Sequence, residues 1–315
     1  MRQGKVLLLV NPVAQRGNGD HFAGIARDLL GQWLGDDRVE CVLTEHAGHA
    51  TELAASASAD RFSTLIALGG DGLVHEAVNG IMRLPERDRP AFGLIPVGSG
   101  NDFANTLGMS TCVPDAIVQF LDAQERLFDV GCCNGEYFAE TLSFGLDAAI
   151  ALDTVERRKR TGQQGTRLYL SSGIDQLLHH LDPYRFTAVL DGTRELSGDM
   201  LMFAVQNGTT YGGGFHICPD ADPEDGVLDI CYAMAPMRVP MATFKFLSAK
   251  NGKHVNRKGI HFDRASRIEL SFDKRPPCQI DGEPHIADSY SISLVHRALI
   301  VLCARDGVEE VRSSR

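Results

Sequence analysis

The pattern that most limits how this chain folds is an apolar run that breaks into a glycine turn and restarts as an amphipathic helix. Leu65-Ile66-Ala67-Leu68 leads into Gly69-Gly70-Asp71-Gly72, and Leu73, Val74, Ala77, Val78 and Ile81 follow at helical spacing. Glycines let the backbone approach a ligand closely, and a helix N-terminus favours anions, so the turn suits a phosphate. Asp71 is misplaced for holding phosphate itself. A carboxylate beside an anion site makes sense when a divalent cation lies between them, as in phosphoryl transfer. Taken alone, the same residues also describe an ordinary strand-to-helix turn with Asp71 as its cap.

Repetition strengthens the ligand reading. Phe92–Val97 runs into Gly98-Ser99-Gly100-Asn101-Asp102, and Val6–Val10 runs into Asn11-Pro12 and the polar segment Gln15–Gly19. Three such units predict βαβ connections and a parallel sheet whose turns converge at the carboxyl ends of the strands. No Gly-Lys-Ser/Thr follows the first strand, and Gly98-Ser99-Gly100 lacks the third glycine of the dinucleotide fingerprint.

Up to about residue 125 strand and helix alternate, with a second strand over Val39–Leu43 and helices over Thr51–Ala59 and Pro114–Leu121. Beyond that point strands dominate: Arg126–Cys133, Glu136–Phe144, Tyr184–Leu190, Arg194–Val205, Val227–Tyr232, Ser266–Phe272 and Tyr290–Leu294. Their glycine and proline turns predict an antiparallel sandwich, interrupted by a helix carrying Leu170, Ile174, Leu177, Leu178 and Leu181. With 315 residues, 43% of them hydrophobic, the chain suits two domains.

A net charge of −10 excludes a general nucleic-acid binder, which needs a basic face. No apolar run approaches the ~20 residues of a membrane span, and the N-terminus enters a strand without a signal-peptide pattern. The expectation is a soluble, cytoplasmic protein. The eight cysteines contain no C-x-x-C and read as small buried hydrophobes, notably around Cys41, Cys231 and Cys303. No Gly-x-Ser-x-Gly supports a serine hydrolase. His179-His180, near a helix end, reads as solvent-facing rather than metal-binding.

Three further clusters stand out. Asp281-Gly282-Glu283 follows a short strand and by spacing alone fits a hairpin turn. Asp220, Asp222, Glu224, Asp225 and Asp229 offer oxygen ligands at a density suited to Mg²⁺ or Ca²⁺, or form a solvated acidic loop; Cys231 at the twelfth position excludes an EF-hand. Arg157-Arg158-Lys159-Arg160 reads as the one dense positive run and, before the glycine-containing segment Thr161–Gly165, is expected to give weak, salt-sensitive contact with an anionic membrane.

Gly69-Gly70-Asp71-Gly72 with Glu76 and Asn79, Gly98–Ala104, Asn11-Pro12 and Asp281-Gly282-Glu283, taken in order, resemble the diacylglycerol kinase catalytic family, with sphingosine, ceramide and NAD kinases among its relatives. The resemblance implies an NAD kinase/phosphofructokinase-like α/β domain over 1–125, with a return at about 298–315, and a β-rich lipid-substrate domain over 126–297. It implies ATP as phosphoryl donor, Mg²⁺ and a lipid hydroxyl, most simply that of diacylglycerol, as acceptor at a membrane surface; a homodimer is compatible with it. Carried over, the nucleotide contacts are Asn11, Pro12, Thr44, the stretch from Gly70 to Glu76, and Ser99. Gly69, Gly98, Gly100, Asn101 and Asp102 complete the turns. Asp71 would work with the catalytic Mg²⁺. The resemblance places Asp281 and Glu283 across a cleft from Asp71, with Glu283 first choice as base and Asp281 its partner or replacement. A structural Mg²⁺ would take the Asp225 side chain and the carbonyls of Asp222 and Val227. Leu73 stands where the family usually has threonine, and Val13-Ala14-Gln15 where small residues are common. A sphingoid base or ceramide as acceptor, an NAD kinase, and a catalytically silent nucleotide- or lipid-binding regulator are the competing readings.

Overall fold

The structure, a computed structural model, describes residues 4–305 with the exception of Gln164. It divides into two compact units, one formed by the chain up to residue 128 with the stretch from 296 onward, the other by 129–295. No helix among the described residues is long and apolar enough to cross a membrane.

In the first unit, β1 (Val6–Val10), α1 (Ala14–Gly17), α2 (Gly19–Leu34), β2 (Val39–Leu43), α3 (His49–Ala55), β3 (Thr64–Gly69), α4 (Asp71–Ile81), β4 (Ala91–Pro96), α5 (Asp102–Leu107) and α6 (Val113–Leu121) follow one another. The strands lie in the order β2-β1-β3-β4, all parallel. Every residue of β1, β3 and β4 is buried, as befits strands covered on both faces by helices. Val10 pairs with Leu68 and Gly69 with Pro96, so the strands end in register and release their turns along one edge. The helix expected over Thr51–Ala59 is shorter, because Ser56 and Ala57 already donate to carbonyls three residues back and close it.

The chain passes to the second unit along β5 (Gln124–Cys133). There follow β6 (Glu136–Phe138), β7 (Thr141–Gly145), α7 (Leu146–Thr161), α8 (Thr166–His179), β8 (Tyr184–Leu190), β9 (Arg194–Gln206), β10 (Leu228–Met234), α9 (Val239–Ala249), β11 (Ile260–Ala265), β12 (Arg267–Phe272), β13 (Cys278–Ile280), β14 (Glu283–Pro284) and β15 (Ser289–Cys303). Within this unit the pairings of β7 through β15 are antiparallel, with β9 held between β7, β8 and β10. Phe138, Phe144, Phe186, Phe203 and Tyr290 fill the main core, and a second cluster including Ile150, Tyr169, Phe215 and Cys231 lies where α7, α8 and α9 pack. The first unit thus is an α/β domain with a parallel sheet, and the second an antiparallel β-sandwich.

Two predicted strands divide. Glu136–Phe144 breaks between Phe138 and Thr141, and Ser266–Phe272 is preceded by a separate strand, Ile260–Ala265. From residue 296 the last strand belongs to the first unit, where Val301 pairs in parallel with Phe92 of β4. The remainder of the expected return, 306–315, lies outside the described residues. Of the cysteines, Cys133, Cys218, Cys231, Cys278 and Cys303 are buried, whereas Cys41 and Cys132 are only partly so and Cys112 is exposed.

Candidate active site

In the first unit the released turns are locked to one another through backbone. The Asn11 N–H donates to the Leu68 carbonyl at 3.1 Å, and the Thr44 N–H to the Val10 carbonyl at 2.8 Å, which fixes the loops after β1 and β2 to the sheet edge. The Val13 N–H donates to Asn11 Oδ1 at 3.1 Å. Gly19, which sequence reasoning passed over, must be glycine: a Cβ there would collide with the Asn11 carbonyl and with Pro12. Gly70 and Gly98 touch so closely that a Cβ on Gly70 would lie 2.8 Å from the Gly98 Cα. The two glycine turns are therefore one structure.

Asp71 is the fastener. Its Oδ2 accepts the Asn101 N–H at 2.9 Å and its Oδ1 faces the Phe103 N–H at 3.4 Å, at the start of α5. The capping role that the sequence left open exists, on the other turn. Asn101 stands at φ 56° and closes on Gly98, accepting its N–H at 2.8 Å and donating to its carbonyl at 3.1 Å. Ser99 is partly buried on this turn. A Cβ on Gly100 would fall 2.6 Å from Asp71 Oδ2 and 3.3 Å from Asp102 Oδ2, so two carboxylates face the same small space. Such a pair fits a hard divalent cation.

Two neighbours have structural work instead. Glu76 accepts the Gly48 N–H at 2.9 Å and the Ala50 N–H at 3.1 Å, so both its oxygens cap α3. Leu73 is buried, its side chain pressed on Gly69 where a Cβ would lie 2.6 Å from Leu73 Cδ2. Leucine at this position is a packing residue.

In the second unit Asp281 and Gly282 form the two-residue turn between β13 and β14, at φ 47° and 91°. The Asp281 carboxylate accepts the N–H groups of Ala139 at 2.9 Å, Glu140 at 3.1 Å and Thr141 at 2.9 Å. These three bonds explain the break in the predicted strand Glu136–Phe144: the ladder donors there turn to a side chain. Glu283, two residues on, is exposed and takes no side-chain hydrogen bond among the described residues. The hairpin hence separates an anchored carboxylate from a free one.

In the acidic loop, Asp225 Oδ1 accepts the Val227 N–H at 3.2 Å and Oδ2 meets the Arg264 guanidinium at 2.6 Å, while the Asp222 carbonyl faces the Asp225 N–H at 3.3 Å. Arg264 also binds Asp229. The positive charge beside Asp225 thus comes from Arg264. Arg157 of the basic run is clipped between Asp153 and Asp175 and Arg158 is half-buried, leaving Lys159 and Arg160 as the exposed part. His179 is exposed, its Nδ1 beside Asp175.

Sequence reasoning missed an apolar cavity lined by Ile150, Tyr169, Met202, Phe215, Cys231 and Phe246, with Asp147 in its wall. Burial pushes the Asp147 carboxyl up to about 6, with the Tyr211, Ser143 and Tyr169 hydroxyls restraining the rise. The Tyr169 hydroxyl stands 3.5 Å from Asp147 Oδ1, and Oδ2 is buried without a partner of ordinary geometry. The one available signal was an aspartate set in the apolar run Leu146–Leu152.

Comparison with known proteins gives two successive matching regions. Residues 5–133 match the diacylglycerol kinase catalytic domain and residues 140–303 the YegS C-terminal NAD kinase beta sandwich-like domain. A Mycobacterium tuberculosis diacylglycerol kinase is 32% identical over 311 residues, covering 96% of both chains. A Chromohalobacter salexigens protein named "Probable lipid kinase YegS-like" is 28% identical, over 84% of this chain and 83% of its own. Among solved structures, a Bacillus anthracis diacylglycerol kinase superposes with a TM-score of 0.79 at 22% identity, over 97% of this chain and 99% of that one. An Archaeoglobus fulgidus NAD kinase in complex with ATP superposes with a TM-score of 0.57 at 14% identity, over 98% of each.

Proposed function

The chain belongs to the diacylglycerol kinase family of lipid kinases, and from that premise we propose that it transfers the γ-phosphoryl group of ATP to the hydroxyl of diacylglycerol. The observation that carries the reading is the pair of glycine turns fastened by Asp71, a rigid, side-chain-free backbone surface suited to phosphates. Asp71, with Asp102 beside it, would hold a magnesium ion, which when bound neutralises phosphate charge. Catalysis of this type is positioning and electrostatics. The acceptor oxygen bonds to the γ-phosphorus as the bond to the ADP oxygen breaks, and the hydroxyl proton passes to Glu283. Asp281 is a positioning residue, holding the hairpin that presents Glu283. The apolar cavity supports a lipid acceptor, whose chain it would shelter from water.

Transfer of labelled γ-phosphate from ATP to a panel of diacylglycerol, monoacylglycerol, sphingosine and ceramide in mixed micelles tests this. Labelled diacylglycerol that disappears with Asp71→Ala is expected. Preferential labelling of sphingosine or ceramide would move the acceptor, and ATP binding without any labelled lipid would overturn the reading in favour of a regulator.

A further inference from the structure

Between Ile230 and Phe262 the sequence contains no aspartate or glutamate, yet it carries Arg238, Lys245, Lys250, Lys253, Arg257 and Lys258, in a chain whose net charge is −10. This stretch includes α9, which carries apolar residues on its outer as well as its inner face. Its inner face buries Ala242, Lys245 and Ala249 and, with Phe246, roofs the apolar cavity of the second unit. Its outer face leaves Met241 51%, Phe244 50% and Leu247 46% exposed, at three-residue spacing along one stripe. Polar residues would ordinarily stand there.

Arg238, Lys250, Lys253, Arg257 and Lys258 are exposed and form no ion pair among the described residues, whereas Arg157, Arg185, Arg194, Arg264 and Arg275 of the same unit all do. Arg257 lies over the Phe244 ring, 5.1 Å from its centroid, so charge and apolar surface are contiguous. The buried Lys245 donates from Nζ to the Lys258 carbonyl and ties the basic loop to the helix.

We propose that α9 is a membrane-docking face: Met241, Phe244 and Leu247 enter the headgroup region of an anionic bilayer while the five exposed cations meet lipid phosphates. Apolar anchors flanked by lysine and arginine are what an interfacial helix requires. Charge complementarity favours this occupant over a second copy of the chain, since a two-fold contact would set this patch against itself, cation against cation.

The test is co-sedimentation of the whole protein with phosphatidylcholine vesicles, with and without phosphatidylglycerol, in the absence of ATP and acceptor, so that the outcome does not depend on the kinase reading. Binding is expected to require phosphatidylglycerol and to weaken with salt. Met241→Ser/Phe244→Ser/Leu247→Ser should lower the vesicle-bound ratio by at least about tenfold, and Lys250→Gln/Lys253→Gln/Arg257→Gln/Lys258→Gln should abolish the phosphatidylglycerol preference, both at an unchanged melting temperature. Vesicle binding by the serine variant equal to the parent, or no binding by the parent, overturns the proposal. So does a change confined to oligomeric state in sedimentation velocity, which would assign the face to a second copy.

Discussion

At the scale of single residues, Asp281 and Glu283 are separated by what holds them. Asp281 satisfies three backbone donors, so Asp281→Ala should leave them unpaired and lower stability by about 2–3 kcal/mol, read as a drop in melting temperature. Glu283→Gln removes an exposed carboxylate with no such duty; it should leave melting unchanged and cut turnover by at least about tenfold. An Asp281→Asn protein that melts normally but is dead, beside an active Glu283→Gln, would exchange the roles. Asp147 gives a pH dependence whose sign is opposite to that of a salt-bridged carboxylate. Burial raises it from 3.8 to about 6, so the folded state holds a proton that the unfolded state has lost. Its neutral form is free of penalty below pH 4, and stability declines as pH rises from about 4 to about 6, by roughly 2–3 kcal/mol in all. Denaturant melts of Asp147→Asn should lack this decline; equal pH slopes in both proteins would mean that Asp147 is solvated.

At the scale of elements, the first unit's architecture was legible because each strand is a continuous apolar run and each turn is marked by glycine, signals that lie within ten residues of one another. The closeness of the turns was legible too, though its agent was not: Asp71 reaches a turn 30 residues away, and Glu76 caps a helix that precedes it by more than 20. Capping across such distances leaves no local pattern. The same holds for the split of Glu136–Phe144, caused by a side chain about 140 residues later. Helix α9 escaped because its exposed Met241, Phe244 and Leu247 blur the amphipathic period that marks a helix. The interlocked turns carry their own prediction. A Cβ on Gly98 collides with the backbone of Gly70, so Gly98→Ala should displace both turns and weaken ATP binding by an order of magnitude or more in calorimetry. Gly24→Ala in α2, where nothing lies within 4 Å of the new methyl, should instead stabilise by up to about 1 kcal/mol. Equal ATP affinities for the two variants would mean that the turns do not bind nucleotide.

At the scale of the whole molecule, the chain does not fold as two consecutive pieces. Leu299, Val301, Leu302 and Cys303 are buried in the first unit, although some 170 residues separate them from the rest of it. Val301 extends the parallel sheet beside β4, Arg89 donates from Nη1 to the Ala298 carbonyl at 2.8 Å, and the Ala304 N–H donates to the Leu107 carbonyl at 2.9 Å. Ending the chain after Val295 would preserve every residue of the glycine turns while opening one side of β4, whose Phe92 and Ile95 are now fully buried. Four buried apolar side chains at ~1.5–3 kcal/mol each amount to more than half of the net stability of an ordinary domain. The truncated protein should therefore lose cooperative melting of the first unit, and ATP binding with it, even though no proposed nucleotide contact has been touched. Adding residues 296–315 back as a separate peptide should recover part of both, because the lost pairing is a single parallel strand whose docking on β4 is coupled to folding of the unit. If the truncated chain bound ATP like the parent, the return strand would be a tether rather than part of the nucleotide domain, and the boundary of that domain would have to be redrawn at residue 128.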